Sequence, residues 1–216
     1  MKPIKKLNII LDIIFFPLRA FFMLEKGFFY LSSLRDERMY VVKRFCKGRV
    51  LDIGCGPHNL FIKNFIGEEN GIGIDVYPYP GVDNVVADIL NLPFNDETFD
   101  TVTLIAVGGH IPKEVRKKEF AEIARVIKNE GLLIFTEGEP ITQYIVHKWS
   151  IIFNFLIGQK DIDEERGMEE EEEYCMPSKD IHYYLNSFGL NIIKVNKFMW
   201  GLNNVYISKK ISDEKN

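Results

Sequence analysis

The sequence predicts an α/β fold in which a doubly wound, mostly parallel seven-stranded sheet is covered by helices on both faces. Three observations carry that expectation. From residue 36 onward, short apolar runs alternate with amphipathic helical stretches, the order that builds a parallel sheet. The first run, Val50-Leu51-Asp52-Ile53, leads directly into the glycine turn Gly54-Cys55-Gly56-Pro57. The chain closes on two runs, residues 191–198 and 203–209, whose connection is too short for a crossover, so the last strand is expected to be antiparallel, at or near the sheet edge.

The elements follow in order. Residues 1–35 read as an apolar N-terminal helical arm, in which Lys2, Lys5 and Lys6 precede a run from Leu7 to Leu24 that superficially resembles a signal sequence or a membrane anchor. Asp12, Pro17 and Arg19 interrupt this run. A spanning helix needs roughly 20 apolar residues with few charges, so a transmembrane span is rejected. Two readings stay open. The arm covers the globular domain, or it lies on a membrane with Phe15, Phe16, Phe21, Phe22, Phe28 and Phe29 inserted and the lysines among lipid head groups.

The domain proper is expected over residues 36–211. A helical stretch at 36–46 enters the first strand; a second strand at 71–75 ends in the turn Tyr77-Pro78-Tyr79-Pro80-Gly81, and a third is centred on 84–87. Residues 99–106 read as a buried fourth strand. Phe120, Ile123, Ala124 and Ile127 have the spacing of an amphipathic helix within 113–130, with Pro112 at its start and Gly131 at its end, and 132–136 is strand five. Residues 140–176 break the pattern: an apolar helix-like run (Ile145, Val146, Trp149, Ile152, Phe153, Leu156) is followed by an acidic stretch. An insertion after strand five sits where ligands bind in open α/β sheets, and is read as a lid or acceptor pocket, with a helix that merely extends the core as the alternative. Ser178 is placed as an N-cap, Ile181, Tyr184, Leu185 and Phe188 on one helical face, and Gly189 as the stop. Gly201, Asn203 and Asn204 form the hairpin connection between the last two strands, and residues 212–216 a frayed tail.

Composition narrows the function classes. In 216 residues, 27 basic and 31 acidic side chains leave a net charge of -4, with no global positive field to neutralise phosphates, so no nucleic acid is expected as substrate. Cys46, Cys55 and Cys175 are odd in number and form no C-x-x-C pair, which fits a reduced, cytoplasmic setting and three buried small side chains rather than disulfides.

The chemistry-bearing residues begin at the glycine turn, where glycine lets the backbone approach a ligand closely. A dinucleotide fingerprint would need a small residue at 59, where Asn59 stands, and would seldom tolerate Asp52 at the end of the strand, so NAD is disfavoured. Asp75 ends the second strand about twenty residues later, at the distance where a carboxylate accepts ribose hydroxyls. Asp88 follows strand three in Val86-Ala87-Asp88-Ile89; then come Leu92-Pro93-Phe94 and Phe99-Asp100. Taken together, LDIGCGP, GIDV, ADILNLPF, ETFDTV and GLLIFTE, in that order across residues 36–210, resemble the class I S-adenosylmethionine-dependent methyltransferases, specifically the group acting on small molecules, quinones and lipids.

The resemblance implies a Rossmann-like sheet and S-adenosyl-L-methionine as cofactor. It implies that Asp52, Gly54, Cys55 and Gly56 cradle the methionyl part, that Asp75 and Val76 face the ribose, and that Asp88 with the Ile89 backbone reads the adenine. Ile105 and Ala106 would line the cofactor beside the methyl group. The chain departs from the group at Val107-Gly108-Gly109-His110-Ile111, where relatives often carry Leu-Glu-His or Leu-His-His and only His110 matches. His110 is the candidate catalytic residue, as base or orienter of the acceptor, because histidine changes charge near neutrality; a histidine bonded to a neighbouring loop is the alternative.

Alignment of nucleophile, methyl and sulfur can supply ~7–11 kcal/mol, against roughly 3–5 kcal/mol from general-base assistance. The weakness of the base signal therefore does not argue against turnover. The expected partner is a small-molecule acceptor, hydrophobic and lipid-like or membrane-associated; peripheral contact to the inner face of the membrane through residues 1–31 is one of the two open readings of the arm. A soluble polar metabolite and a catalytically silent binding module remain as alternatives. The acidic run Glu169 to Glu173 lacks calcium-loop spacing, so no metal is assigned, and His147 and His182 are read as structural.

Overall fold

The computed structural model describes residues 9–21, 31–79, 90–140, 144, 148, 149 and 175–211. Six strands form one sheet in these residues: β1 (Val50–Ile53), β2 (Gly71–Ile74), β3 (Phe99–Ile105), β4 (Ile127–Gly138), β5 (Leu190–Phe198) and β6 (Asn203–Lys210), in the spatial order β2-β1-β3-β4-β6-β5. Strands β2, β1, β3 and β4 pair in parallel. The last strand, β6, runs antiparallel to both β4 and β5 and lies one position inside the edge, which β5 occupies. Six strands are seen rather than seven; the one expected at 84–87 lies outside the described residues, as do most of 140–176 with His147 and the acidic run, and the tail 212–216.

Alternation along the strands explains the double winding. On β1, Leu51 and Ile53 face one side and Val50 the other; on β4, Leu133 and Phe135 oppose Leu132 and Ile134. The first side is covered by α4 (Arg116–Val126) and α5 (Ser178–Ser187) through Phe120, Ile123, Ile181 and Leu185. The second is covered by α3 (Leu34–Lys43) through Met39 and Val42, together with Phe61 and Ile62. Ser33 caps α3, its Oγ accepting from the Asp36 N–H at 2.9 Å.

Several boundaries differ from expectation for identifiable reasons. Helix α4 ends at Val126, not at Gly131, because Ile127 is already paired with Phe99. Gly131 is required by space instead: a Cβ there would stand 2.7 Å from Ile127 Cγ2 and 2.8 Å from the Lys128 carbonyl oxygen. Ser178 does not cap α5, whose cap position is Pro177; the Ser178 Oγ accepts from the Tyr206 hydroxyl at 3.1 Å. Gly189 does stop the helix, with φ +69°. Asn203 and Asn204 are buried members of β6, and the connection is the tight turn at Met199–Gly201. Cys55 and Cys175 are buried thiols, whereas Cys46 is only partly covered.

At the N-terminus, α1 (Ile9–Ile14) and α2 (Phe16–Phe21) are joined by helical hydrogen bonds from the Phe15 N–H to the Leu11 carbonyl and from the Arg19 N–H to the Phe15 carbonyl. Arg19, fully buried, holds this arm to α3. Its guanidinium donates to the carbonyls of Asp12, Ser32 and Ser33 and to Glu37 Oε2 at 2.7 Å, while Asp12 Oδ1 accepts from the Ser32 N–H. Phe16 is buried against the Trp200 ring at 5.7 Å, and the Trp200 indole N–H donates to the Ile13 carbonyl. Among the described residues, no helix is long and apolar enough to cross a membrane.

Candidate active site

A cleft of about 550 Å³ opens at the carboxyl ends of β1, β2 and β3, where open α/β sheets bind their ligands. Its floor is the turn after β1. Gly54 and Gly56 both hold left-handed backbone, at φ +70° and +65°. They do different work. A Cβ on Gly54 would strike Val107 Cγ2 at 2.6 Å, so Gly54 lets two loops approach; a Cβ on Gly56 would meet nothing within 4 Å and would stand in open space.

Asp75, at the end of β2, clasps this turn from the side. Its Oδ2 accepts from the Gly56 N–H and its Oδ1 from the Tyr77 N–H, each at 2.9 Å. Each carboxylate oxygen has further lone-pair capacity, and Asp75 lines the cleft. Asp52, 2% exposed, receives the Thr103 hydroxyl at 2.6 Å across the β1–β3 ladder. Burial pushes its carboxyl up to about 7; the Thr103 bond opposes that shift and the negative charge of Asp75 adds to it. Asn59 packs on the β2 backbone, where a Cβ on Gly73 would meet its Oδ1 at 2.0 Å. Its bulk occupies the place where a dinucleotide fingerprint needs a small residue.

Of the expected cofactor residues, Asp52, Gly54, Cys55, Gly56, Asp75, Val76, Ile105 and Ala106 all line this one cleft. Asp88 and Ile89 lie outside the described residues. Ala106 holds φ +57°, a conformation that costs a non-glycine residue about 1–2 kcal/mol, and its N–H donates to the Thr136 carbonyl at 3.1 Å. The turn that follows, Gly108–His110, contributes His110 to the cleft lining. His110 is exposed and sits on the same wall as Ile111, Pro112 and Val115.

Four charged residues at this end were not singled out from the sequence. Arg35 and Arg38 line the cleft from α3, and Arg38 Nε has no hydrogen-bond partner although it is buried. Burial lowers the Arg38 pKa, with Glu137 and Glu37 opposing. Glu119 of α4 lines the cleft below His110; it is buried, its Oε1 has no partner, and burial pushes it up to about 8 against the pull of Arg116. Glu137, at the end of β4, is likewise pushed up to about 8 by burial, opposed by the Met176 N–H and by Arg38. The one signal available in the sequence was that Arg35, Arg38, Met39 and Val42 share a helical face.

Glu137 also accounts for the Gly108 departure. A Cβ at 108 would stand 2.4 Å from Phe135 Cζ and 2.7 Å from Glu137 Oε2, so the turn is glycine because a buried carboxyl and a ring fill the space beside it. Among the described residues, no group of three or more His, Cys, Asp or Glu is arranged to hold a metal ion. His182 is exposed, its ring 6.0 Å from that of Tyr206.

Comparison with known proteins bears on the same stretch. Residues 51–135, from within β1 into β4, match the methyltransferase domain family. These residues form a methyltransferase domain, similar to the class I S-adenosylmethionine-dependent methyltransferases. The chain is 30% identical over 139 residues to phthiotriol/phenolphthiotriol dimycocerosates methyltransferase 1 of Mycobacterium ulcerans, covering 56% of this chain and 51% of that one. It is 33% identical over 109 residues to tRNA (carboxymethyluridine(34)-5-O)-methyltransferase of Arabidopsis thaliana in its matched part, which is 47% of this chain and 27% of that one. The chain thus spans about half, or about a quarter, of the length of these curated relatives. The fold is shared with 1,6-didemethyltoxoflavin-N1-methyltransferase of Burkholderia thailandensis, a structure with bound 1,6-didemethyltoxoflavin and S-adenosylhomocysteine: TM-score 0.57, 13% identity, 82% of this chain and 78% of that one.

Proposed function

We propose that this methyltransferase transfers the methyl group of S-adenosyl-L-methionine to a small hydrophobic, membrane-associated acceptor, and that it works at the membrane surface through residues 1–31. The observation that carries the chemistry is the continuity of one cleft, from the Gly54–Gly56 turn and Asp75 at one end to His110 and Glu119 at the other. The cofactor fits two features of this wall. Gly56 leaves open space where any side chain would intrude, and the buried Arg38 Nε lacks an acceptor that a carboxylate supplies.

In this reading Asp52, Gly54, Cys55 and Gly56 hold the methionyl part, Asp75 and Val76 the ribose, Asp88 and Ile89 the adenine, and Ile105 and Ala106 flank the methyl group. When bound, the sulfonium supplies an already activated methyl. The chain's own residues bind, orient and exclude water: the strained Ala106 turn sets the acceptor wall, and alignment accounts for most of the rate at ~7–11 kcal/mol. His110, on the rim of that wall, accepts the acceptor's proton or orients the nucleophile. Two features favour a small hydrophobic acceptor over RNA: the net charge of -4, and the apolar Ile111, Pro112 and Val115 beside His110.

The test is to incubate the protein with methyl-labelled S-adenosylmethionine and three acceptor pools, one organic-soluble, one of aqueous metabolites and one of RNA. Label is expected in the organic-soluble pool and lost from it in His110→Ala. Label confined to RNA or to the aqueous pool contradicts the acceptor class. No label in any pool from a protein that binds S-adenosylhomocysteine contradicts turnover and leaves a binding module.

A further inference from the structure

The N-terminal arm is an amphipathic helix with its polarity reversed. Its charged residues, Asp12 and Arg19, point inward and are almost fully buried, whereas Ile10, Ile13, Ile14 and Leu18, at helical spacing on the opposite side, are exposed. Phe15 extends this outer face. A helix that merely covers a domain turns its apolar side to the core and its charges to water. Here the Arg19 and Asp12 bonds to Ser32, Ser33 and Glu37 fix the opposite orientation, so the apolar side is held outward by the structure itself.

A second element adds to the same surface. The turn between β5 and β6 holds Met199, Trp200 and Gly201 all in left-handed backbone, at φ 50°, 56° and 84°. Two of these are not glycine, and such strain persists only where the surroundings enforce it. The result is a tryptophan whose indole N–H is satisfied by the Ile13 carbonyl while its ring remains 60% exposed beside the arm. An apolar ring with its polar edge already bonded suits the water–lipid boundary.

We infer that this face, Ile10, Ile13, Ile14, Phe15, Leu18 and Trp200, is a docking surface for an anionic lipid bilayer. The inference deepens the membrane-surface reading above and rests on it, but is independent of the methyl-transfer chemistry. Two observations select a bilayer over a second copy of the chain. In sequence, residues 2–11 carry Lys2, Lys5 and Lys6 and no acid, while Asp12 is buried and held by Arg19 and Ser32; that charge complements anionic head groups. Trp200 presents its apolar ring at the same face with its indole N–H already bonded to the Ile13 carbonyl, an arrangement that suits a water–lipid boundary.

The experiment is flotation of the full chain with vesicles of phosphatidylcholine containing phosphatidylglycerol, with pure phosphatidylcholine vesicles and sedimentation velocity alongside. Wild type is expected to float with the anionic vesicles. The exposed-face variant Ile10→Ser/Ile13→Ser/Leu18→Ser is expected to bind at least tenfold more weakly, while its thermal shift with S-adenosylhomocysteine is unchanged. In a Trp149→Phe background, Trp200 emission is expected to shift to the blue on anionic vesicles. No flotation by wild type, equal flotation of the triple variant, equal binding to neutral vesicles, or a wild-type dimer that the triple variant abolishes would overturn the inference. Failure of the cofactor shift in both proteins would instead count against the methyltransferase reading and leave the flotation result standing.

Discussion

Thr103 donates its hydroxyl to Asp52 Oδ1 at 2.6 Å, joining β3 to β1 just before the Gly54–Gly56 turn. The bond satisfies a carboxyl with almost no access to water and lowers a pKa that burial raises. Removing it in Thr103→Val leaves the carboxyl short of a partner, which is expected to cost about 1–3 kcal/mol of stability, read by urea unfolding. Asp52 should then titrate above about 7, so any S-adenosylhomocysteine affinity that depends on ionised Asp52 moves to higher pH. An unchanged pH profile would show that Asp52 ionisation does not matter to binding.

Arg19 is the anchor of the arm, and its removal separates two roles of the N-terminus. Arg19→Met deletes one partner of a buried network containing Asp12 and Glu37, a change expected to cost about 3–5 kcal/mol. Protease sensitivity should rise at the arm while the β-sheet core keeps its hydrogen-exchange protection. Loss of protection throughout would mean that the arm is integral to the core.

The sheet was legible because its signals are local. The run Val50–Ile53 into Gly54-Cys55-Gly56, the acid at Asp75 and the face Ile181-Tyr184-Leu185-Phe188 each depend on spacing within a few residues, and each stands where the pattern put it. The residues missed depend on distant partners. Arg19 and Asp12 looked like interruptions of an apolar run because Ser32, Ser33 and Glu37, which take up their charges and hydrogen bonds, lie 13 or more residues from one or the other. Glu137 and Glu119 come to lie near Arg38 and Arg116 only after the sheet and its helices have assembled. Gly108 departs from the pattern the chain resembles, and the cause, Phe135 and Glu137 beside it, is visible only in the fold.

The buried acids set a pH dependence. Asp52, near 7, and Glu119 and Glu137, near 8, hold protons in the folded chain that the unfolded chain has released above about pH 4.5. Each raised pKa therefore contributes stability at acid pH that is lost as pH rises through the folded value, with a slope on the order of 1 kcal/mol per pH unit for each group. Between pH 5 and 8 the unfolding free energy from these groups is expected to fall. Glu137→Gln, which keeps an acceptor for the Met176 N–H, should flatten that fall. An equally steep fall in the variant would contradict the assignment.

Two glycines in the site should respond differently to alanine. Gly108→Ala forces a methyl group against Phe135 and Glu137 and is expected to lose about 1–3 kcal/mol of stability by overpacking. Gly56→Ala meets no protein atom, so it bears only the left-handed backbone cost of about 1–2 kcal/mol, while its methyl enters the cleft. S-adenosylhomocysteine affinity should fall at least tenfold in Gly56→Ala. Comparable affinity in wild type and Gly56→Ala, by calorimetry, would remove Gly56 from the cofactor wall.

The most direct test of the central claim is thermal unfolding of the full chain with and without S-adenosylhomocysteine, with NAD as control and Asp75→Ala alongside. Ligand at 100 times its dissociation constant adds about 2.7 kcal/mol, or very roughly 5 °C for a chain of this size. A shift of that order with S-adenosylhomocysteine, absent with NAD and lost in Asp75→Ala, is the predicted result. No shift at millimolar S-adenosylhomocysteine, or an equal shift with NAD, would contradict it.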